Sequence, residues 1–462
     1  MEKGNNLKVC KDMFEELTKN LLEKWYPLAI DKEYGGYFTN ISYDFKLMPS
    51  QEKMVVTQAR HMWTTAKAAK FFNSDKYYEY SLHGFKFLTE KMWDDKYGGF
   101  YQIRSRDGST TDIEGWFDEK RAYGNAFAIY ALSALYDITK DKKVLNAAID
   151  AFEWLDKHAY DEEYKGYFQF LRREGTPFDK SSAYKSKATD ELEVGYKDQN
   201  SSIHLLEAFT ELYHVWKHEK LYNRLLELLK LIRDVIVNPK GYLQLFFERD
   251  WTPLSFRNKS KEILEANYKL DHVSFGHDYE TAYLMLEASY ALGLNDDTET
   301  LRTAKKMLDH AIENGWDKVN GGFFDEGYYF TENGKCKIIK DTKTWWQQAE
   351  ALNVLLIFSK IFPNEKKYYK LFLKEWEYIK KYLIDYEHGD WYWGSLEKEP
   401  FYKTEPKGNI WKATYHNGRA LMNCISMLAD DDCELFKLDS FKKIKYEHEN
   451  FINHWKNIAV NL

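Results

Sequence analysis

Three histidines stand at the start of long apolar runs, each close to a polar or aromatic partner. His204 follows Asn200 by four residues in KDQNSSIHLLEAF, and i, i+4 neighbours share a helix face. His277 precedes Glu280 by three residues in FGHDYETAYLMLEA, a spacing that lets the carboxylate orient the imidazole or reach a substrate hydroxyl itself. His416 follows Trp411 by five residues in WKATYHNGRALMN, with Arg419 just beyond. Imidazole is the side chain best suited to proton exchange near neutrality, with an unperturbed pKa of about 6.5. A buried histidine bonded to Asn200 is the plainer reading of His204, and both readings stand. None of these spacings is HExxH and no third ligand sits nearby, so no metal site is expected.

Other helix starts carry groups suited to a polyhydroxylated ligand. Arg60 in TQARHMW offers a fixed fork of donors, with Trp63 on the same face. Tyr123 in KRAYGNAFAIYAL can aim its hydroxyl into a cleft or pack in a core. Trp345, Trp346 and Glu350 fall in TKTWWQQAEALNVLL. Two adjacent tryptophans at a helix start cannot both face one core, so one is expected to face a ligand ring.

The elements that position these residues follow from a repeat. A polar turn, one or two glycines and a burst of aromatics recur as EYGGYF, KYGGFYQ, YKGYFQFL, KGYLQLFF, NGGFFDEGYYF and HGDWYWG. The six copies are spaced by roughly 60 to 80 residues, too long for common solenoids and right for a large symmetric array. Each reads as a short hairpin whose glycines supply unusual backbone angles. Paired helices are predicted between them, at 55–73 and 75–93, 120–138 and 141–158, 200–217 and 219–237, 278–293 and 297–315, and 344–362 and 365–385. A last helix starts near Tyr415, and an opening helix over 7–28 pairs with it. The stripe Leu221, Leu225, Leu228, Leu229 and Ile232 has the helical period, as does Leu145, Ala148, Phe152 and Leu155. The expected fold is all-α, a six-hairpin (α/α)6 barrel over 1–462 as one catalytic domain, with short β-hairpins at one end. Two long polar stretches, 171–196 and 250–275, break the rhythm and are read as rim loops over the cleft.

Bulk composition excludes several classes. Sixty-six Lys+Arg against 73 Asp+Glu give a net charge of -7, with charges interspersed rather than in a basic patch, so no nucleic-acid partner is expected. No apolar run is long enough to span a membrane. The four cysteines form no metal-spaced or CxxC set, and the opening segment lacks a secretory leader's apolar stretch, so reduced thiols in a cytoplasmic protein are expected. No heptad or long apolar edge is evident, so a monomer or weak dimer is expected. Aromatics make up 17% of the chain, enough for both a thick helical core and a stacking cleft.

The segments NSSIHLLEAFTELYHVW, LFFERDWTPLS, FGHDYETAYLMLEA, WWQQAE and WKATYHNGRA resemble those of the N-acylglucosamine 2-epimerase superfamily, most closely its cellobiose 2-epimerase-like branch. The resemblance runs from Arg60 to Arg419. It implies an (α/α)6 barrel and epimerisation at C2 of a reducing aldose without a cofactor. It also implies that His277 and His416 are the two acid/base residues and that His204 with Asn200 is a third polar position. Arg60, Tyr123 and Glu280 would be substrate and intermediate contacts. Trp346 and Trp411 would be sugar platforms, with Trp345 an alternative to Trp346. Ser202 stands where cellobiose epimerases often have a further histidine, Tyr279 replaces an aliphatic residue, and segment 252–272 is longer than usual. These departures bear on which sugar is taken.

The implied chemistry needs an opened sugar ring, removal of the C2 proton, a held cis-enediolate and return of a proton to the opposite face. Arg60 would stabilise the enediolate oxygen, and Glu280 would hold His277 in its working tautomer. A glycoside hydrolase on the same barrel would need two carboxylates flanking the bond, where this chain has histidines. A glycan-binding scaffold would not need them. An aldose–ketose isomerase shares the enediol and differs only in where the proton returns.

Overall fold

The computed structural model describes residues 2–111, 118–180, 193–430, 433–460 and 462. Its helices alternate between two concentric rings. In chain order they are α1 (Glu2–Glu15, prolonged by shorter helical pieces to Trp25), α2 (Val55–Phe72), α3 (Asp75–Phe87), α4 (Ala122–Thr139), α5 (Lys142–His158), α6 (Gln199–Val215), α7 (Glu219–Leu231), α8 (Lys261–Asp271), α9 (Phe275–Leu292), α10 (Thr298–Gly315), α11 (Trp345–Ile361), α12 (Lys366–Tyr382), α13 (Tyr415–Leu428) and α14 (Asp439–Ala459).

The inner ring is α2, α4, α6, α9, α11 and α13, each packed on the next, and α13 returns to α2. The ring is closed, and α1 seals it by lying on α13. Burial explains which helix takes which ring. Every residue of α4 from Ala122 to Leu135 is buried, as befits a helix apolar on all sides. The outer α7 buries only its leucine stripe, with Leu221, Leu225, Leu228 and Leu229 inaccessible.

The six glycine turns are each closed by one bridge: Ile30–Tyr37, Trp93–Phe100, Tyr160–Tyr167, Val237–Leu243, Trp316–Phe323 and Ile384–Trp391. The ladders, however, run between repeats rather than within them. The strand leading into each inner helix pairs antiparallel with the hairpin of the following repeat: β1 (Lys53–Met54) with β2 (Ile103–Arg104), β3 (Lys120–Arg121) with β4 (Phe170–Leu171), β5 (Lys197–Asp198) with β6 (Phe246–Phe247), and β7 (Val273–Ser274) with β8 (Glu326–Tyr328), which also carries β9 (Lys337–Lys340). Single bridges Thr344–Gly394 and Ile41–Gly408 complete the circle. A girdle of backbone hydrogen bonds thus surrounds the mouth where the inner helices begin.

Beneath five of the six turns lies a buried ion pair. Lys53, Lys120, Lys197, Lys343 and Lys407 reach Asp31, Asp94, Asp161, Asp317 and Asp385 at 2.8–3.0 Å. Each aspartate also accepts backbone N–H groups of its own turn, as Asp31 does from Glu33 and Tyr34. Four of the lysines also donate to a turn carbonyl, as Lys53 does to Gly35.

Two expectations need correction. The stretch 250–275 is not a simple loop: it contains α8, whose polar sequence carries too few apolar residues to show a clear stripe. Of 171–196, residues 181–192 lie outside the described residues. The chain also has a helix beyond the twelve expected. α14 crosses the end of the barrel opposite the hairpins, where Phe441 meets Phe71, Phe451 meets Tyr290, and His448 meets Ser426. Among the described residues no helix is long and apolar enough to cross a membrane.

Candidate active site

α14 covers the far end, and the barrel opens at its girdled mouth. A cavity of about 190 Å³ lies there, and Tyr123, Asn200, Ser274, His277 and Trp411 are among the residues lining it. Both rim segments reach it: Lys269 at the end of α8 pairs with Glu193 at 3.1 Å, and both line the cavity.

His277 is the third residue of α9 and His416 the second of α13. Their rings both meet one indole, that of Trp346, at centroid distances of 4.8 and 5.6 Å. Gly276 permits this approach, since a Cβ there would fall 2.7 Å from the Trp346 ring. Trp345 turns the other way and packs on Trp393 at 4.4 Å. Trp346 is thus the indole that meets both histidines, while Trp345 reaches only His416, at 6.4 Å. His204 is not equivalent to the other two histidines. It is the sixth residue of α6, a turn deeper, with its ring against Tyr123 and Phe127. Its Nδ1 pairs with Glu207 at 2.8 Å and not with Asn200, whose Oδ1 is buried and has no hydrogen-bond partner among the described residues.

Arg419 is the hub of the site. Its Nη1 bonds Glu207 and the Tyr415 hydroxyl, and its Nη2 donates to Glu280 and Glu350 at 2.7 Å each. Glu350 pairs through Oε1 with His416 Nδ1 at 2.7 Å and accepts from Tyr283 through Oε2 at 3.0 Å. One guanidinium thus faces three buried carboxylates and cannot compensate them all. Burial pushes all three upward, but Arg419 and His204 outweigh it at Glu207 and hold that group down. At Glu280 burial wins, reinforced by the neighbouring Glu350, and its carboxyl rises well above the usual range. Glu350 is raised as well, by burial first. Glu280, Glu350 and His416 place ligand-type atoms within 4.8 Å of one another, and the Arg419 guanidinium is the cation bound to both carboxylates there.

Burial also acts on the imidazoles. It pushes His277 down to about 3 and His416 well below its ordinary value, so both are neutral bases at pH 7. Arg60 lies near His416 and His204 and helps hold both imidazoles neutral. Its Nη2 donates to Tyr123 at 3.0 Å, its Nη1 to the Trp411 carbonyl at 2.5 Å, and its plane covers Phe127. Its Nε is buried without a partner among the described residues. The arrangement offers one neutral base and aromatic faces on the cavity wall, with Trp346 and a second neutral base next to that base and a cation bonded to Tyr123 of the wall, and so suits proton transfer at a carbon next to a carbonyl.

The family described as N-acylglucosamine 2-epimerase (GlcNAc 2-epimerase) matches residues 36–420. The chain belongs to that family. It is 30% identical to a cellobiose 2-epimerase of Ruminococcus albus, the match covering 91% of this chain and 100% of that one. A cellobiose 2-epimerase of Bacteroides fragilis is 28% identical over 91% of this chain and 98% of its own. The structure of cellobiose 2-epimerase from Bacillus thermoamylovorans superposes with a TM-score of 0.77 at 26% identity, covering 90% of this chain and 98% of that one. The protein is therefore a sugar 2-epimerase of this family, an isomerase on an (α/α)6 barrel.

The structure departs from the sequence reading at Glu350, which was placed among ligand-facing groups but is buried on Arg419, His416 and Tyr283, and at Glu280. Glu280 was expected to hold His277, but its Oε1 accepts from Arg419, and His277 Nδ1 instead faces the Ser274 hydroxyl at 2.8 Å. Glu207, Tyr283, Tyr415 and Ser274 are further parts of the site that sequence reasoning passed over. The i, i+3 spacing of His204 and Glu207 was a usable signal. The contacts of Arg419 across 69 to 212 residues left none.

Proposed function

We propose that this epimerase interconverts the gluco and manno configurations at C2 of a reducing sugar, with cellobiose as the substrate its relatives' names suggest. The observation that carries the assignment is the pair His277 and His416, brought from different helices to the ring of Trp346. Two bases on separate elements can address opposite faces of one carbon. After ring opening, assisted by His204, one imidazole takes the C2 proton and the enediolate charge falls to Arg60. The other imidazole returns a proton to the opposite face. The His416–Glu350 bond suits both directions: Nε2 is a base when Nδ1 carries the shared proton, and an acid donor when Glu350 carries it. Glu280 and Glu350 brace the hub, while Tyr123, Asn200 and Trp411 hold the sugar at the cavity wall. Each proton-transfer group is worth on the order of 10² to 10⁴ in rate.

The test is solvent exchange at C2 in D₂O, read by NMR from each epimer. His277→Asn should still exchange deuterium into the gluco sugar but form no manno product, and His416→Asn should do the reverse. His204→Asn should lower both directions together. Equal loss of exchange from both epimers in the two single variants would replace the two-base account with one base and a rotating intermediate. The same reading expects a cytoplasmic monomer or weak dimer acting on a small-molecule sugar without metal or other cofactor. Activity should then survive exhaustive chelation, and its restoration by a divalent ion after EDTA would count against it.

A further inference from the structure

Ser274 occupies the N-cap position of α9, where a serine side chain ordinarily accepts a backbone N–H from the first turn. It makes no such bond. Its Oγ lies instead 2.8 Å from Nδ1 of His277, the N3 residue, so the cap hydroxyl is diverted from the backbone to the imidazole. The residues just before three of the five other inner helices are used structurally. Asp198 caps Ser201, Thr344 binds Asp325, and Thr414 meets Tyr26.

The partner also differs in kind from those of the other two histidines. His204 and His416 each present Nδ1 to a buried carboxylate, Glu207 or Glu350, a group whose charge changes with its proton. A serine hydroxyl can donate or accept by rotating. Ser274 also lines the cavity, so its hydroxyl borders the space that the substrate and its solvent occupy. The titratable groups that act on His277 are His204, His272 and His416; none is a carboxylate able to stabilise an imidazolium there.

We propose that Ser274 is a positioning residue that switches His277 between its two neutral tautomers and links Nδ1 to cavity water. The inference rests on His277 being a proton-transfer group. In the forward sense, Nε2 takes the C2 proton as Nδ1 releases its own to Ser274 Oγ, and the serine's original hydroxyl proton passes to a cavity water. The substrate is left as the enediolate and the water as hydronium, with imidazole and serine neutral before and after. The reverse sequence delivers a proton from water to C2.

Three variants decide this, assayed in D₂O for epimer formation and C2 deuterium and across pH for kcat and KM. Ser274→Ala should lower kcat about ten-fold or more, with KM changed by no more than about two-fold. It should also reduce deuterium gained per turnover on the face His277 serves and shift the pH profile of kcat. Ser274→Thr, which keeps the hydroxyl on a strand-compatible residue, should restore most of both. Should the alanine variant not fold, Ser274→Cys, nearly isosteric but a weak hydrogen-bonder, takes its place with the same expected loss. Wild-type kcat and exchange in Ser274→Ala would overturn the proposal, and so would an equal loss in Ser274→Thr, since the hydroxyl would then not be what matters. His277→Asn, run alongside, separates the two levels: full turnover in that variant would remove the acid/base reading itself.

Discussion

Five repeats of the barrel are built alike and the fourth is not. In the five, the turn bridge joins residues seven apart and two consecutive residues are left-handed, such as Gly35 and Gly36, while in the fourth the bridge Val237–Leu243 spans six and only Gly241 is left-handed. The five carry the buried Lys–Asp pair; the fourth has Asn238 and Val273 at the corresponding positions. Side-chain amides clamp the turn in three of the five. Gln58, Asn125 and Gln348 each accept the N–H and donate to the C=O of Tyr37, Phe100 or Phe323. In the fourth the clamp is an acid, Asp278, which accepts the Leu243 N–H and leaves its second oxygen buried without a partner among the described residues. That same repeat carries α8, Ser274 and His277. The charged strut is thus one of two solutions to the same turn, and the neutral one lies under the repeat that carries a candidate acid/base residue.

The sharpest way to break the comparison is to remove one member of a strut. Lys407→Met leaves Asp385 buried and uncompensated, and should cost about 3–5 kcal/mol in denaturant unfolding. If the cost is below about 1 kcal/mol, the strut is not what holds the turn. A smaller effect is expected when the fourth repeat's solution is transplanted. Asp385→Asn with Lys407→Val removes both charges together and should change stability by no more than about 1 kcal/mol, because the desolvation cost disappears along with the attraction. A loss as large as that of the single variant would mean that the neutral arrangement works only in its own repeat.

The smallest expected effect is a slope. Burial raises Asp278 well above the ordinary carboxylate value, against the one backbone N–H that lowers it. The native protein therefore keeps a proton that the unfolded chain loses near pH 3.9, so this contribution is complete below about pH 4 and declines as pH rises towards the folded-state value. Asp278→Asn should supply the amide found in the other repeats. It should flatten that part of the pH dependence, so that the variant gains stability relative to the parent as pH rises from 5 to 8. An unchanged slope in melts across that range would show that Asp278 is ionised in the folded state.

Much of the frame was legible because its cause is local. The glycine turns, the leucine stripe of α7 and the helix pairs are set within a few residues, and the predicted helices 297–315 and 344–362, from successive pairs, differ from α10 and α11 by one residue at most at each end. α8 escaped notice because Leu264 and Leu270 are its only buried apolar side chains. α14 was passed over because six pairs already completed a ring, leaving no place in it for another helix. The site was read by residue type more than by partner. Arg60, Tyr123, His277 and His416 do gather at the mouth, but which carboxylate serves which histidine depends on ring geometry that spacing does not encode. Glu280 shows this most plainly: its i, i+3 spacing suits His277, yet α13 brings Arg419 to it instead.

The girdle's struts and the Arg419 hub differ also in when they can form. Lys120–Asp94 closes a loop of 26 residues, whereas Arg419–Glu207 closes one of 212. That is three doublings of length, an added closure cost of about 2 kcal/mol. Contacts this distant in sequence are the slow step in folding. On a growing chain each strut has both its residues soon after its own repeat is made, while Glu207, Glu280 and Glu350 must wait for the last inner helix to deliver Arg419. The machinery for proton transfer therefore comes into being in one event, when the ring shuts, and turnover by this protein is also a readout of completed folding.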